Sequence, residues 1–146
     1  MIDSSQPWSQ SGRVSLWRYT ENTKNYGGWH LNADAAGCRS LAALLRELAS
    51  GGSPTRSVRL TSPTVAELAV PNNRDADWLA PNKLRVGWSA TPSDWCLPPS
   101  LDPAELTFGS DWLEPLLTGV AGIAQGKGDY SIGSRGGGSL PLWFWW

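Results

Sequence analysis

"LPLWFWW", Leu140 to Trp146, is the stretch on which the fold turns. Successive strand residues point to opposite sides. Leu142, Phe144 and Trp146 therefore share one side, and Trp143 and Trp145 the other. Both sides are apolar, so this strand has no plain solvated face. It is stable only if it is central, paired on both sides and covered on at least one face. Either helices cover both faces, or one face meets something else. The larger stretch "DYSIGSRGGGSLPLWFWW" (129–146) reads as a hairpin with Gly136 to Gly138 at its tip.

Further strands are predicted from the same alternation. In "RVSLWRYT" (13–20), Val14 and Leu16 oppose Ser15, Trp17 and Tyr19, and "WHLNA" (29–33) forms a hairpin with it across "ENTKNYGG". "TRSVRLTSP" places Val58 and Leu60 inward, with Ser57, Arg59 and Thr61 outward. "KLRVGWSA" points Leu84, Val86 and Trp88 inward, and "AELTFG" points Leu106 and Phe108 inward. A brief strand is expected around Trp95 to Leu97, within the Pro-rich "TPSDWCLPPSLDPA". "NNRDADWLAPN" (72–82) reads as a loop, and "TVAELAVPNN" (64–73) fits one helical turn or a short extended piece.

Two helices carry apolar stripes at helical spacing. Near residues 34–50, Asp34 caps the start, Cys38, Leu41, Leu44, Leu45 and Leu48 form the stripe, and Gly51 sits just past the end. Near residues 110–126, Ser110 is the expected N-cap and Asp111 suits the positive end of the helix dipole. Leu113, Leu116, Leu117, Val120 and Ile123 form its stripe, and Pro115 is tolerated near the first turn. The prediction is an α+β domain over residues 1–146, a mainly antiparallel sheet with both helices packed on one face. Residues 1–12 are a flexible or edge extension. Hairpins followed by helices argue against alternating βαβ units.

Composition narrows the function classes. A chain of 146 residues buries roughly 68–70% of its unfolded surface, enough to fold without metal or disulfide. Twelve basic against thirteen acidic residues leave a net charge of −1, which argues against nucleic acid or an anionic membrane surface as partner. The longest near-apolar run, "LLTGVAGIA" (116–124), is far short of a bilayer span. With no leader pattern at the start of the sequence, the expectation is a cytoplasmic protein whose Cys38 and Cys96 are reduced thiols. A Cys38–Cys96 disulfide is the alternative. Ten tryptophans are the outlier. Each buries on the order of 150–250 Å² when packed, and ten are hard to hide in one core.

No catalytic or metal constellation emerges. His30 is the single histidine, and a Cys38–His30–Cys96 set lacks a fourth ligand. A Cys–His nucleophilic pair needs an accessible thiol, whereas Cys38 falls on the apolar stripe of the first helix. "GIAQGKGDYS" departs from the phosphate-loop pattern in its glycine spacing and in Gly128 after Lys127. In "NNRDADW", Asn73, Asp75 and Asp77 alternate as in a calcium loop, but the required Gly and distal Glu are missing. Asp129 reads as a turn-capping carboxylate. No cofactor is implied.

A distributed pattern remains. If helices cover the face of Val14, Leu16, Val58, Leu60, Leu84, Val86, Leu106 and Phe108, the opposite face carries Trp17, Tyr19, Arg59, Arg85, Glu105 and Thr107. Either His30 or Trp29 joins it, as do Trp143 and Trp145 if the closing strand pairs beside the first. The candidate binding residues are Trp17, Tyr19, His30, Arg59, Arg85, Trp143 and Trp145. Aromatics interleaved with arginine are the residue types that protein interfaces enrich; the plainer reading is cation–π pairing on an exposed sheet. "GWHLNADA" (28–35), the Leu-rich helix, "GDYSIG" (128–133) and "LWFWW" (142–146) together resemble a set of small single-domain bacterial proteins. The resemblance spans residue 17 onward, suggests a protein of the immunity- or defence-associated type, and carries over no functional residue. The leading expectation is a non-enzymatic domain that binds a protein partner, or a second copy of itself, through the aromatic and basic face. One alternative is a small-ligand or nucleotide binder that stacks a planar group on Trp and Tyr. A small enzyme using His30 with Asp129 or Cys38 is the other.

Overall fold

The computed structural model describes residues 8–20, 27–51, 55–64, 66–68, 77–99, 103–133 and 138–146. Among the described residues, nine strands and two α-helices follow in the order β1 (Val14–Tyr19), β2 (Trp29–Ala33), α1 (Ala35–Ala49), β3 (Thr55–Arg59), β4 (Trp78–Leu79), β5 (Lys83–Trp88), β6 (Trp95–Cys96), β7 (Ala104–Phe108), α2 (Leu113–Ala124), β8 (Tyr130–Ile132) and β9 (Leu142–Phe144). The class is α+β, as the sequence predicts. The single expected sheet is in fact two: a five-stranded sheet ordered β4-β1-β2-β9-β8 and a four-stranded sheet ordered β3-β5-β7-β6. Both are mixed. β2–β9 and β5–β7 run parallel, while the remaining pairs are antiparallel, so "mainly antiparallel" describes the molecule only approximately.

β9 lies between β2 and β8, the central position its two apolar sides require. It pairs beside β2 rather than beside β1. One side faces α2. Phe144 is fully buried there, and a Cβ on Gly119 would run into its ring. The expected hairpin is formed by β8 and β9; of its tip, Gly136 lies outside the described residues and Gly138 takes a left-handed turn conformation at φ 85°.

One continuous apolar core gathers Val14, Leu16, Trp29, Leu31 and Phe144 from the first sheet, and Val58, Leu84, Val86, Leu106 and Phe108 from the second. The α1 stripe (Cys38, Leu41, Leu44, Leu45, Leu48) and Leu116, Val120 and Ile123 of α2 complete it. The helices thus pack on the inner face of both sheets. A gap of about 30 Å³ among Leu16, Leu31, Leu45, Leu84 and Leu142 is lined without polar groups. It is the size of a single water but offers no partner to hold one.

Local chemistry sets the helix ends. Asp34 caps α1, its Oδ1 accepting from Gly37 N at 2.7 Å and from Arg13 N at 2.9 Å. Those two backbone N–H groups hold its carboxyl below the usual range. The second helix departs from expectation at its start. Ser110–Trp112 form a 3-10 turn with Gly109 at the cap position and no side-chain cap bond. The neighbouring loop takes over the role of Ser110, as Asp111 N donates to Pro92 O at 3.0 Å. A Cβ at Gly109 would strike the Thr91 and Pro92 carbonyls, which explains the glycine.

Residues 8–12 of the predicted extension are pinned along α1 and the edge of β3; residues 1–7 lie outside the described residues. Trp8 Nε1 donates to Ser40 O at 2.9 Å, and Ser11 N to Ser40 Oγ at 3.1 Å. The Gln10 amide bonds both backbone groups of Arg59, at 2.9 and 2.8 Å, and so closes part of an otherwise open strand edge.

Candidate functional site

The outer face of the five-stranded sheet carries a row of aromatic rings set by strand register. Trp17 stands opposite His30, His30 opposite Trp143, and Trp143 opposite Ser131. Trp17 and His30 stack at 5.7 Å between centroids, His30 and Trp143 at 6.3 Å, with interplanar angles of 19° and 11°. Trp145 stacks on both His30 and Trp143, and Tyr19 meets His30 edge-on at 5.0 Å. These spacings are those of aromatic pairs in direct contact. The rings fill one another's space.

Hydrogen bonds lock the row. Trp145 Nε1 donates to His30 Nδ1 at 2.7 Å. An indole nitrogen is only a donor, so this nitrogen of His30 must be the acceptor, which assigns the neutral imidazole with its proton on Nε2. Asn32 Nδ2 donates to Trp145 O, Trp143 Nε1 to Gly27 O, and Tyr19 Oη to Leu68 O. Trp17 Nε1 and Ser15 Oγ are buried with no hydrogen-bond partner among the described residues.

The face is covered. Trp17 and His30 have no exposed surface, Tyr19 and Trp145 are buried, and Trp143 is half-buried. Leu68 and Ala80 pack over them. Leu68 is brought there by a turn in which Thr64 and Glu67 bond reciprocally: Glu67 N to Thr64 Oγ1, and Thr64 N to Glu67 Oε2, both at 3.2 Å. That is a capping box. The expected open aromatic sheet face is therefore a second, smaller core.

The basic half of the predicted face lies elsewhere. Arg59 and Arg85 sit on β3 and β5 of the other sheet, exposed to solvent. Arg85 faces Glu105 across the β5–β7 register at 4.0 Å, with both side chains about half exposed. Such a pair contributes little to stability. The one-sheet assumption brought Trp17 and Arg85 onto one face, and the division into two sheets separates them. Five of the seven candidate residues come together: Trp17, Tyr19, His30, Trp143 and Trp145.

Of the groups named for the enzyme alternative, His30 and Cys38 are buried and Asp129 is exposed. His30 is enclosed, with Nδ1 already engaged. Cys38 is buried, and burial pushes its thiol pKa up, away from the reactive thiolate. Cys96 is exposed, and the two cysteines are not bonded to each other. Asp129 occupies an exposed turn at φ 67°, its N–H donating to Phe144 O. Of the calcium-like loop, Asn73 and Asp75 lie outside the described residues, and Asp77 is exposed. Among the described residues, no group of three or more His, Cys, Asp or Glu is placed to hold a metal ion.

The exposed large apolar residues are none of the seven candidate binding residues, and Trp146, assigned to the closing strand by alternation, lies beyond its end. Four large apolar side chains are exposed among the described residues: Trp78 (39%), Leu79 (37%), Tyr130 (38%) and Trp146 (61%). All belong to the five-stranded sheet or to the chain leaving it, at its two outer strands β4 and β8 and beyond β9. Two adjacent large apolar residues, Trp78 and Leu79, inside an otherwise polar loop were the available signal. The chain matches no protein-family model, no curated protein and no solved structure.

Proposed function

We propose that this chain is a non-enzymatic protein-binding domain that makes contact through the exposed aromatic rim of its five-stranded sheet. The carrying observation is the location of the four large apolar residues exposed among the described residues: Trp78 and Leu79 on one outer strand of that sheet, Tyr130 on the other, and Trp146 just beyond β9. Adjacent exposed apolar side chains such as Trp78 and Leu79 mark contact sites on a folded chain, and Trp and Tyr are over-represented among residues that dominate binding energy. The buried row Trp17–His30–Trp143 serves as the rigid platform under this rim. The small-ligand reading has less support, because ring centroids of 5.7 and 6.3 Å leave no slot between successive rings for an inserted planar group.

The partner is a protein, with a second copy of the chain as the first to test. A cytoplasmic location belongs to the same proposal, supported by two free thiols. Among the described residues no helix is long and apolar enough to cross a membrane. Light scattering across a concentration series should show reversible association. Trp146→Ala or Tyr130→Ala should weaken it by about 2 kcal/mol, roughly 30-fold, with the melting temperature unchanged. Association that persists undiminished in the double variant would remove the rim from the proposal, and a chain that stays monomeric throughout would exclude the second copy as partner.

A further inference from the structure

Among the described arginines, only Arg18 and Arg56 are half-buried; Arg13, Arg39, Arg46, Arg59 and Arg85 are exposed. A cation drawn out of water is destabilising unless an anion or a full set of acceptors replaces the water. Arg56 meets that requirement: its Nε and Nη2 grip the Glu47 carboxylate side-on, at 2.9 and 3.4 Å. Arg18 does not. Among the described residues its Nε is buried with no partner, its Nη2 reaches only the Pro99 carbonyl at 3.4 Å, and it has no ion pair. Its remaining support is the Trp29 ring, 5.7 Å from the guanidinium carbon.

The surroundings define what completes it. Leu79, Arg18, Trp29 and Leu142 stand in one register row across β4, β1, β2 and β9. Trp29 is itself anchored by a bond from Nε1 to Pro98 O at 3.1 Å. Arg18 thus stands between Trp29 and exposed Leu79 on the sheet edge and reaches the Pro99 carbonyl, with exposed Trp78 adjacent to Leu79 in the chain. We infer that Arg18 is the anchor of a carboxylate-binding site, and that the partner protein presents an acidic side chain here beside an apolar one that packs on Leu79. On binding, the guanidinium turns its buried Nε and adjoining Nη2 outward and takes the carboxylate side-on, as Arg56 takes Glu47, a geometry in which Arg is favoured over Lys. The Pro99 contact, longer than the usual hydrogen-bond range, is the one exchanged.

This inference rests on the protein-binding reading above and deepens it. Its test is a titration of the ¹⁵N-labelled full chain at constant ionic strength, following the arginine Nε–H resonances. The probes are a short end-blocked peptide carrying Glu next to Leu, the same peptide with Gln for Glu, sodium acetate and inorganic phosphate. The expected result is a saturable shift of Arg18 Nε with the Glu peptide while Arg59 and Arg85 stay in place. Affinity should be at least tenfold weaker for the Gln peptide and in Arg18→Met, with Arg18→Lys falling between. Acetate should move the same resonance at higher concentration. An unmoved Arg18 signal, equal shifts with Glu and Gln peptides, parallel shifts of all arginines, or a response to phosphate alone would each overturn it. The wild-type titration holds even if Arg18→Met fails to fold. Loss of peptide binding with rim-dependent association intact would refute the Arg18 site alone; the reverse pattern would refute the rim alone.

Discussion

Replacing Gly119 by alanine should destabilise the protein, against the ordinary preference of a helix. Alanine in a helix interior is favoured over glycine by roughly 0.5–1 kcal/mol. Gly122, one turn further along α2, should follow that rule, since its new Cβ would meet its nearest neighbour, the Lys127 carbonyl, at an ordinary 3.5 Å. At Gly119 the new Cβ would run into the Phe144 ring, which has no exposed surface and no room to retreat between α2, β2 and β8. Overpacking of this kind costs about 1–3 kcal/mol, which outweighs the propensity gain. Gly119→Ala is therefore expected to lose about 1–2 kcal/mol while Gly122→Ala gains up to ~1 kcal/mol. For a chain of this length the two melting temperatures should separate by several degrees, on the order of 2–4 °C per kcal/mol. Urea unfolding of both variants, with Phe144→Leu alone and combined with Gly119→Ala, reads the coupling directly. If Gly119→Ala stabilises as much as Gly122→Ala, Phe144 does not lie on α2, and the docking of the closing strand is wrong.

Asp34→Ala should cost about 0.5–2 kcal/mol in the same assay through loss of the α1 cap. The folded Asp34 carboxyl titrates below its unfolded value, so its contribution is fully present above the unfolded pKa and is lost as pH falls through the folded one. A stability difference between wild type and Asp34→Asn that fails to shrink on acidification would contradict this. His30→Phe leaves Trp145 Nε1 buried without its acceptor and should cost about 1–3 kcal/mol, whereas adding Trp145→Phe should recover part of it; strictly additive losses in chemical denaturation would disprove the coupling. In the native protein a thiol reagent should modify Cys96 rapidly and Cys38 only on unfolding. Equal rates at the two sites, read by mass spectrometry, would show that α1 does not shield Cys38.

Much of the local structure was legible in the residues themselves. The cap at Asp34, the apolar stripe and Gly51 delimit α1 because helix ends and helix faces are short-range properties. Alternation in β1 and β9 separated Leu16 from Trp17 and Phe144 from Trp143, because successive side chains on any strand point to opposite sides. It also required β9 to be central, which it is. Alternation does not reveal which strand pairs with which, since every strand repeats with the same period. The inward residues Leu16 and Leu84 look alike in sequence, yet tertiary structure assigned them to different sheets and so parted Arg85 from Trp17. Whether the aromatic face was open depended on distant chain, Leu68 and Ala80, folding over it. The capping box at Thr64 and Glu67 was readable as a turn, but not its destination. Arg18 shows the same limit: alternation puts it on the inner side of β1, and only the packed fold sets it over Trp29 without a carboxylate. Local propensity determines elements and their faces; the company each face keeps is a sum of long-range contacts that no local pattern encodes.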